Sequence, residues 1–379
     1  MKKIVIASDS FKGSIGSSEV AAAAAQAVSS VFPDCRTVCL EMADGGEGTL
    51  EALCNSLGGT IIQAMVKDPL GNDILSEYAI VNIPGEGPAA VIEMSKASGL
   101  TLVPPKLRNP LNTSTFGTGQ LISDALDRGC RHFLTGIGGS ATNDAGIGML
   151  SALGWRFLDS EGKELPPTGS SLGKICLIDI EGRDSRLDGC TFKTACDVDT
   201  PFCGPEGAAY VFAPQKGAGP EQVRILDAGL ESFAEVILKT TGIDVRYMPG
   251  AGAAGGLGGA FKAFLDSELL PGAEMVLDAI GFDSIAEGAD LVITGEGKMD
   301  SQTLMGKAPY SVLRRSSKLG VPTVAIAGKV YDADSMRQAG FKEVLCINPP
   351  GMTLETAMRP EVARRNVFDT VSNYLSSIL

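Results

Sequence analysis

Six glycines fall within thirteen residues at Pro249-Gly-Ala-Gly-Ala-Ala-Gly-Gly-Leu-Gly-Gly-Ala-Phe261. Glycine loses more backbone entropy on folding than any other residue, so such a density needs a return. The usual return is close approach of backbone N–H groups to a neighbour, often an anion at a helix N-terminus. The run leads into a helical pattern over 262–270. Three further glycine-rich turns echo it: Ala43-Asp-Gly-Gly-Glu-Gly48, Thr135–Gly148 and Thr294-Gly-Glu-Gly-Lys-Met-Asp300. Together they point to an enzyme that handles a phosphorylated ligand.

The chain carries 32 Lys+Arg against 45 Asp+Glu, a formal charge of −13. That balance repels phosphodiester backbones and argues against nucleic-acid binding. The apolar run after Lys2-Lys3 stops at Asp9, too short for a signal peptide and well placed for a first strand. No segment approaches the ~18–20 apolar residues of a membrane span. Nine scattered cysteines with no CxxC pair read as reduced thiols of a cytoplasmic protein.

At 379 residues, a prior of ~100–200 residues per domain suggests two domains. Strands at 3–7 and 36–41 alternate with helices at 20–31 and 46–57. The same alternation returns with strands at 290–294, 322–327 and 343–347, and helices at 307–319 and 354–378. This pattern predicts a parallel sheet covered on both faces, an α/β domain of Rossmann/flavodoxin-like type. Between them, strands are expected at 61–66, 77–82, 89–93, 131–135, 175–180, 191–196 and 208–212, with a helix at 120–128. We read residues 61–285 as an α+β domain inserted into a domain of residues 1–60 plus 286–379. An insertion of that kind puts the active site in the inter-domain cleft.

Gly250-x-Gly252-x-x-Gly255 matches the dinucleotide fingerprint literally, but no firm buried strand precedes it and no second strand ends in an acid ~20 residues on; the run is otherwise an anion or nucleotide-phosphate loop, or a glycine-lined helix packed tightly on a neighbour. The Gly-x-x-x-x-Gly-Lys-[Ser/Thr] loop is absent, since Gly297-Lys298, Gly306-Lys307 and Gly328-Lys329 lack its spacing and hydroxyl. The protein-kinase signatures are absent too. Lys12 follows strand one in a strand-end loop and suits a phosphate or carboxylate, or is a solvated surface lysine. Asp44 binds a substrate hydroxyl or metal, or caps a helix. Asp197 and Asp199 end a strand and suit Mg²⁺ or proton transfer, or form a turn before Pro201. Thr294–Thr303 combines turn, cation, acids and hydroxyls, the strongest phosphate or metal loop, or is a charged surface turn capping the next helix. His132 is the only histidine, which excludes a multi-histidine metal site and leaves proton transfer to carboxylates.

Residues 4–14 (IVIASDSFKGS), 42–49 (MADGGEGT), 136–146 (GIGGSATNDAG), 196–205 (CDVDTPFCGP) and 294–303 (TGEGKMDSQT) resemble the bacterial type I glycerate kinase family, in the family's order and over nearly the whole chain. Ser8 departs from the proline expected there. The resemblance implies ATP-dependent phosphorylation of D-glycerate at the 2-hydroxyl, with the 3-hydroxyl as the alternative. It implies ATP and Mg²⁺, a cytoplasmic enzyme of glyoxylate or aldarate catabolism, and no nucleic-acid or membrane partner; a homodimer is a further expectation. Residue chemistry then suggests roles. Asp197 and Lys12 are the catalytic candidates, and Asp44, Ser14, Ser140 and Thr142 the substrate contacts. Gly250, Gly252, Gly255, Gly256, Thr294, Gly295, Gly297 and Lys298 hold nucleotide phosphates; Asp197 and Asp300 hold the metal. The rivals of another class are a nicotinamide-dependent dehydrogenase and a non-catalytic organic-acid sensor.

Overall fold

A computed structural model describes residues 1–379. In chain order the strands are β1 (Lys3–Ser8), β2 (Arg36–Glu41), β3 (Thr60–Lys67), β4 (Asp73–Ile83), β5 (Gly87–Glu93), β6 (His132–Gly136), β7 (Arg156–Leu158), β8 (Leu177–Asp179), β9 (Thr191–Ala195), β10 (Glu268–Leu270), β11 (Leu291–Met299), β12 (Thr323–Val330) and β13 (Glu343–Cys346). The chain divides into two compact units. One comprises Met1–Asp44, Glu51–Leu57 and Val276–Leu379; the other comprises Gly45–Leu50 and Gly58–Met275. No helix is long and apolar enough to cross a membrane.

The first unit holds a five-stranded sheet in the order β13-β12-β11-β1-β2, every pair parallel. Ile4, Val5, Ile6 and Ala7 are all fully buried, the continuous apolar run of a strand covered on both faces. On one face the helix Ser17–Val31 packs with Pro360–Ser377 over Ile4, Ile6, Ile293 and Ile326. Alanines at 21, 23, 24 and 27 supply a small-residue surface on the first of these helices. On the other face Leu313, Met336 and Phe341 pack over Met299, Ala325 and Ala327. Numbered within this unit alone the strand order is 2-1-3-4-5, the flavodoxin-like arrangement, whose ligands sit beyond the carboxyl ends of the strands where the order reverses between the first and third. Here that point lies between β1 and β11.

The second unit holds a six-stranded mixed sheet in the order β10-β9-β6-β5-β4-β3, antiparallel across β5-β4-β3 and parallel elsewhere. A separate hairpin pairs β7 with β8. The α/β class expected from sequence is the one found, while five elements differ in detail. The strand expected to end at Thr294, with a flexible turn after it, continues to Met299, because Glu296, Lys298 and Met299 stay in register with Ala327, Lys329 and Val330 of β12. Residues 208–212, expected as a strand, form a helix: Ala208, Ala209 and Ala213 are buried while Tyr210 and Val211 are exposed, and Val211 N–H donates to Gly207 O. The helix expected through Leu270 ends at Leu265, where Asp266 turns left-handed (φ 45°), and Glu268–Leu270 joins the sheet beside β9. The helix expected at 46–57 starts at Thr49, because Gly48 sits at φ 92°. The C-terminal helix is two, Leu354–Ala357 and Pro360–Ser377, since Pro360 has no N–H to continue the first.

Candidate active site

The loop after β1 is folded back on itself. Asp9 N–H donates to Gly295 O, tying the loop to β11, and Phe11 N–H donates to Ile15 O. Gly13 is left-handed (φ 78°), and a Cβ there would fall 2.8 Å from Met358 Cε. This places Asp9, Ser10, Phe11, Lys12 and Ser14 in the wall of a cavity of about 630 Å³ at the carboxyl ends of β1, β11, β12 and β13. Asp44, following β2, lines it too, and Lys12 Nζ donates to Asp44 Oδ2 at 3.0 Å.

From β11 come Glu296, Gly297 and Lys298. The first loop packs directly on Gly297: a Cβ there would lie 3.4 Å from Lys12 N and Phe11 Cα, an ordinary contact distance. Thr294 and Gly295 lie within the sheet. Thr294 is buried, and a Cβ on Gly295 would meet Ile326 O at 2.4 Å. Glu296 accepts from Thr303 Oγ1 at 2.5 Å and from Lys307 Nζ at 3.5 Å. Burial raises its pKa against both of these contacts. Lys298 pairs with Asp300 at 2.6 Å, and this pairing holds the Asp300 carboxyl below its ordinary range. Lys298 and Lys329 Nζ both lie over the Tyr331 ring, 4.9 and 4.6 Å from its centre.

Lys12, Lys298, Lys307 and Lys329 therefore line one cavity. Three of them are ion-paired, Lys12 with Asp44, Lys298 with Asp300 and Lys307 with Glu296, so the lysines are held in place in a wall that also carries Asp9, Asp44 and Glu296. The remaining lining is largely apolar, including Ile347, Met352, Leu354, Ala357 and Met358. Asp9 is 8 % exposed, and burial together with the nearby Asp44 charge pushes its carboxyl up to about 6, against the opposing Ser10 N–H and Lys12. Of the sequence candidates, Lys12, Ser14, Asp44, Gly297 and Lys298 are gathered here; Thr294 and Gly295 lie in the sheet, and Asp300 joins through Lys298. Sequence reasoning missed Asp9, Glu296, Lys307, Lys329 and Tyr331 as individual site residues. Gly-Lys occurs five times, at 162–163, 173–174, 297–298, 306–307 and 328–329, and only the last three of those lysines meet in this cavity, so the dipeptide alone does not mark the site.

The other candidates belong to the second unit. Ser140 Oγ and Thr142 O both accept from Lys216 Nζ, at 2.6 and 2.5 Å. Lys216 is buried, and desolvation lowers its pKa to about 7 despite the nearby Asp144. Asp144 itself accepts from Thr115 N and Oγ1 and from Gly146 and Gly148 N. Thr142 Oγ1 and the Asn143 amide are buried without partners. The glycine run nests against this loop and its neighbour. A Cβ on Gly252 would lie 2.0 Å from Pro201 O, on Gly255 2.2 Å from Thr142 O and on Gly256 2.9 Å from Ala145 Cα. Gly250 has φ 79°, and a Cβ there would lie 2.9 Å from Cys196 Sγ. These approaches give the glycines a packing reason. Asp197 is exposed after β9, and its Oδ1 accepts from Gly272 N at 2.9 Å.

Comparison of the whole chain with known proteins points to one family. The model described as the glycerate kinase family matches residues 4–379. A glycerate kinase of Bacillus subtilis (strain 168) is 46 % identical over 94 % of this chain and 92 % of its own length. The glycerate 2-kinase of Escherichia coli (strain K12) is 44 % identical over 94 % and 93 %. A crystal structure assigned as glycerate kinase 2 of Salmonella typhimurium LT2 superposes with a TM-score of 0.90 at 42 % identity, covering 100 % of this chain and 98 % of that one.

Proposed function

The chain belongs to the glycerate kinase family, and we propose that it transfers the γ-phosphoryl group of ATP to the 2-hydroxyl of D-glycerate, releasing ADP and 2-phosphoglycerate. The observation that carries this reading is the convergence of four lysines in one cavity at the reversal point of a flavodoxin-order sheet. Phosphoryl transfer asks a protein chiefly for positioning and charge neutralisation. Lysine ammoniums supply both to a triphosphate, and the apolar wall around Ile347, Met352 and Met358 suits a purine. Sites for nucleotide-sized ligands run ~300–1,000 Å³, far more than a three-carbon acid fills, so the cavity of about 630 Å³ fits the donor. The name of the Escherichia coli relative supports the 2-position.

Lys12 and Lys298 would contact the transferred group and Lys307 and Lys329 the rest of the phosphate chain, with the loop after β1 packed against the end of β11. Mg²⁺ takes one or two carboxylates and fills its remaining positions with phosphate and water. No group of three acidic, His or Cys side chains is gathered as a cage, which suits an ion carried in by the nucleotide. Asp300, paired with Lys298 beside the cavity lining, would serve as its protein ligand once Lys298, whose side chain is 57 % exposed, turns to a phosphate. The ion would neutralise phosphate charge.

The test is ADP release with Mg-ATP and D-glycerate, the product being passed to enolase with and without phosphoglycerate mutase. Direct conversion by enolase alone is expected. Dependence on the mutase would move phosphorylation to the 3-hydroxyl, and absence of ADP release would end the kinase reading. Mg-ATP should raise the melting temperature and NAD should leave it unchanged; the reverse would favour a dehydrogenase.

A further inference from the structure

Phosphorylating a hydroxyl leaves a proton to be removed, and the acids that line the cavity differ sharply in how far they are committed. Glu296 accepts from Thr303 Oγ1 and Lys307 Nζ. Asp44 is engaged by Lys12. Asp9 is different: its Oδ1 accepts from Ser10 N at 2.6 Å, while its Oδ2 takes no hydrogen bond and belongs to a side chain in the cavity wall. Its position is also particular. Asp9 is the first residue past β1, tied by its own N–H to Gly295 O of β11, so it stands at the point where the strand order reverses.

We propose that Asp9 is the catalytic residue that accepts the proton of the acceptor hydroxyl. The hydroxyl oxygen forms a bond to the γ-phosphorus, the bond from that phosphorus to the β,γ-bridging oxygen breaks with its electron pair leaving on ADP, and the O–H proton passes to Asp9 Oδ2. Asp9 then returns the proton to solvent. The assignment rests on the nucleotide occupying this cavity, as set out under the proposed function.

The charged groups around Asp9 support the role. Asp44, following β2, and Glu296 on β11 both raise its basicity, and Lys12 in its own loop moderates them. A general base works best when its pKa lies near the operating pH. Asp197, which the sequence favours for this role, is exposed with one oxygen on Gly272 N.

The experiment measures ADP release from pH 5 to 9 for the wild type, D9N, D9E and D197N, with Mg-ATP protection in thermal melts as the check that each variant is folded and binds nucleotide. D9N should lose at least ~10²-fold in kcat, the scale of general-base removal, and lose the acid limb of the kcat profile while keeping Mg-ATP protection. D9E, which keeps a carboxylate, should keep an acid limb at reduced kcat. Wild-type kcat that is flat across the acid range would overturn the assignment, as would an acid limb that survives in D9N or disappears only in D197N. A D9N that fails to melt cooperatively transfers the decision to the wild-type and D9E profiles. Wild-type enzyme that releases no ADP with glycerate would instead sink the kinase reading itself.

Discussion

Asp9→Asn should make the protein more stable while making it a worse catalyst, and the stability gain should depend on pH in a defined way. The Asp9 carboxyl is moved from its ordinary 3.8 up to about 6, chiefly by burial and then by Asp44. A group whose folded pKa is raised contributes stability that is fully present below its unfolded pKa and is lost as pH rises through the folded value. Ionised Asp9 therefore weakens the native state above about pH 6. About two pKa units at ~1.4 kcal/mol each set a ceiling of ~3 kcal/mol. Water entering the open side of the cavity lowers this to ~1–2 kcal/mol. Asparagine has the same shape as the neutral acid and its Oδ1 can still accept from Ser10 N. Wild type and D9N should thus melt together near pH 4 and separate between pH 4 and 7. Above pH 7 the variant should melt ~2–8 °C higher, at ~2–4 °C per kcal/mol for units of this size. Differential scanning fluorimetry across pH 4 to 8.5 without nucleotide reads this directly. A gap that does not change with pH, or a variant that melts below wild type at pH 8, would refute the picture of a desolvated carboxylate held near its acidic neighbours. A gain in stability on removing a functional charge is the usual mark of a site selected for chemistry rather than packing.

Two other substitutions separate function from structure. The Lys12 side chain is 69 % exposed and its ion pair with Asp44 is solvated, so Lys12→Ala should shift the melting temperature little. If Lys12 contacts phosphate, it should still lose ~10–100-fold in kcat/KM for ATP, the scale of one charged hydrogen bond; steady-state kinetics beside a melt would show whether the two effects separate, and a large loss of stability would favour a structural lysine. Gly255→Ala places a methyl 2.2 Å from Thr142 O at φ 73°, and should destabilise by ~2–4 kcal/mol in denaturant unfolding. A near-wild-type midpoint would mean that the glycine run is not packed on the 142–145 loop as described.

Much of the architecture is local and was legible in the chain. Ile4–Ala7, Leu291–Ile293 and Val324–Ala327 are short apolar runs that alternate with helical segments, which marks them as strands buried on both faces, and the alanine-rich 20–28 segment between β1 and β2 reads as their crossover helix. Where two local signals conflicted, tertiary packing chose. Residues 208–212 have strand-like composition, yet burying Ala208, Ala209 and Ala213 together requires a helix. The 250–259 glycines announce that something must come close; their chemistry does not say what, and residues 142–145 and 200–202 are what lie there.

Residue type and spacing along the chain thus determined the α/β class, the acidic character and the five glycine-rich or acidic segments that mark the family. Which of those segments share a cavity was decided by the order of strands in the sheet, because β1 and β11 are neighbours in space and almost 300 residues apart in sequence. Asp9, Lys307 and Lys329 owe their significance to that adjacency, since the desolvation and the neighbouring charges that alter a side chain's chemistry come from residues the local sequence does not contain.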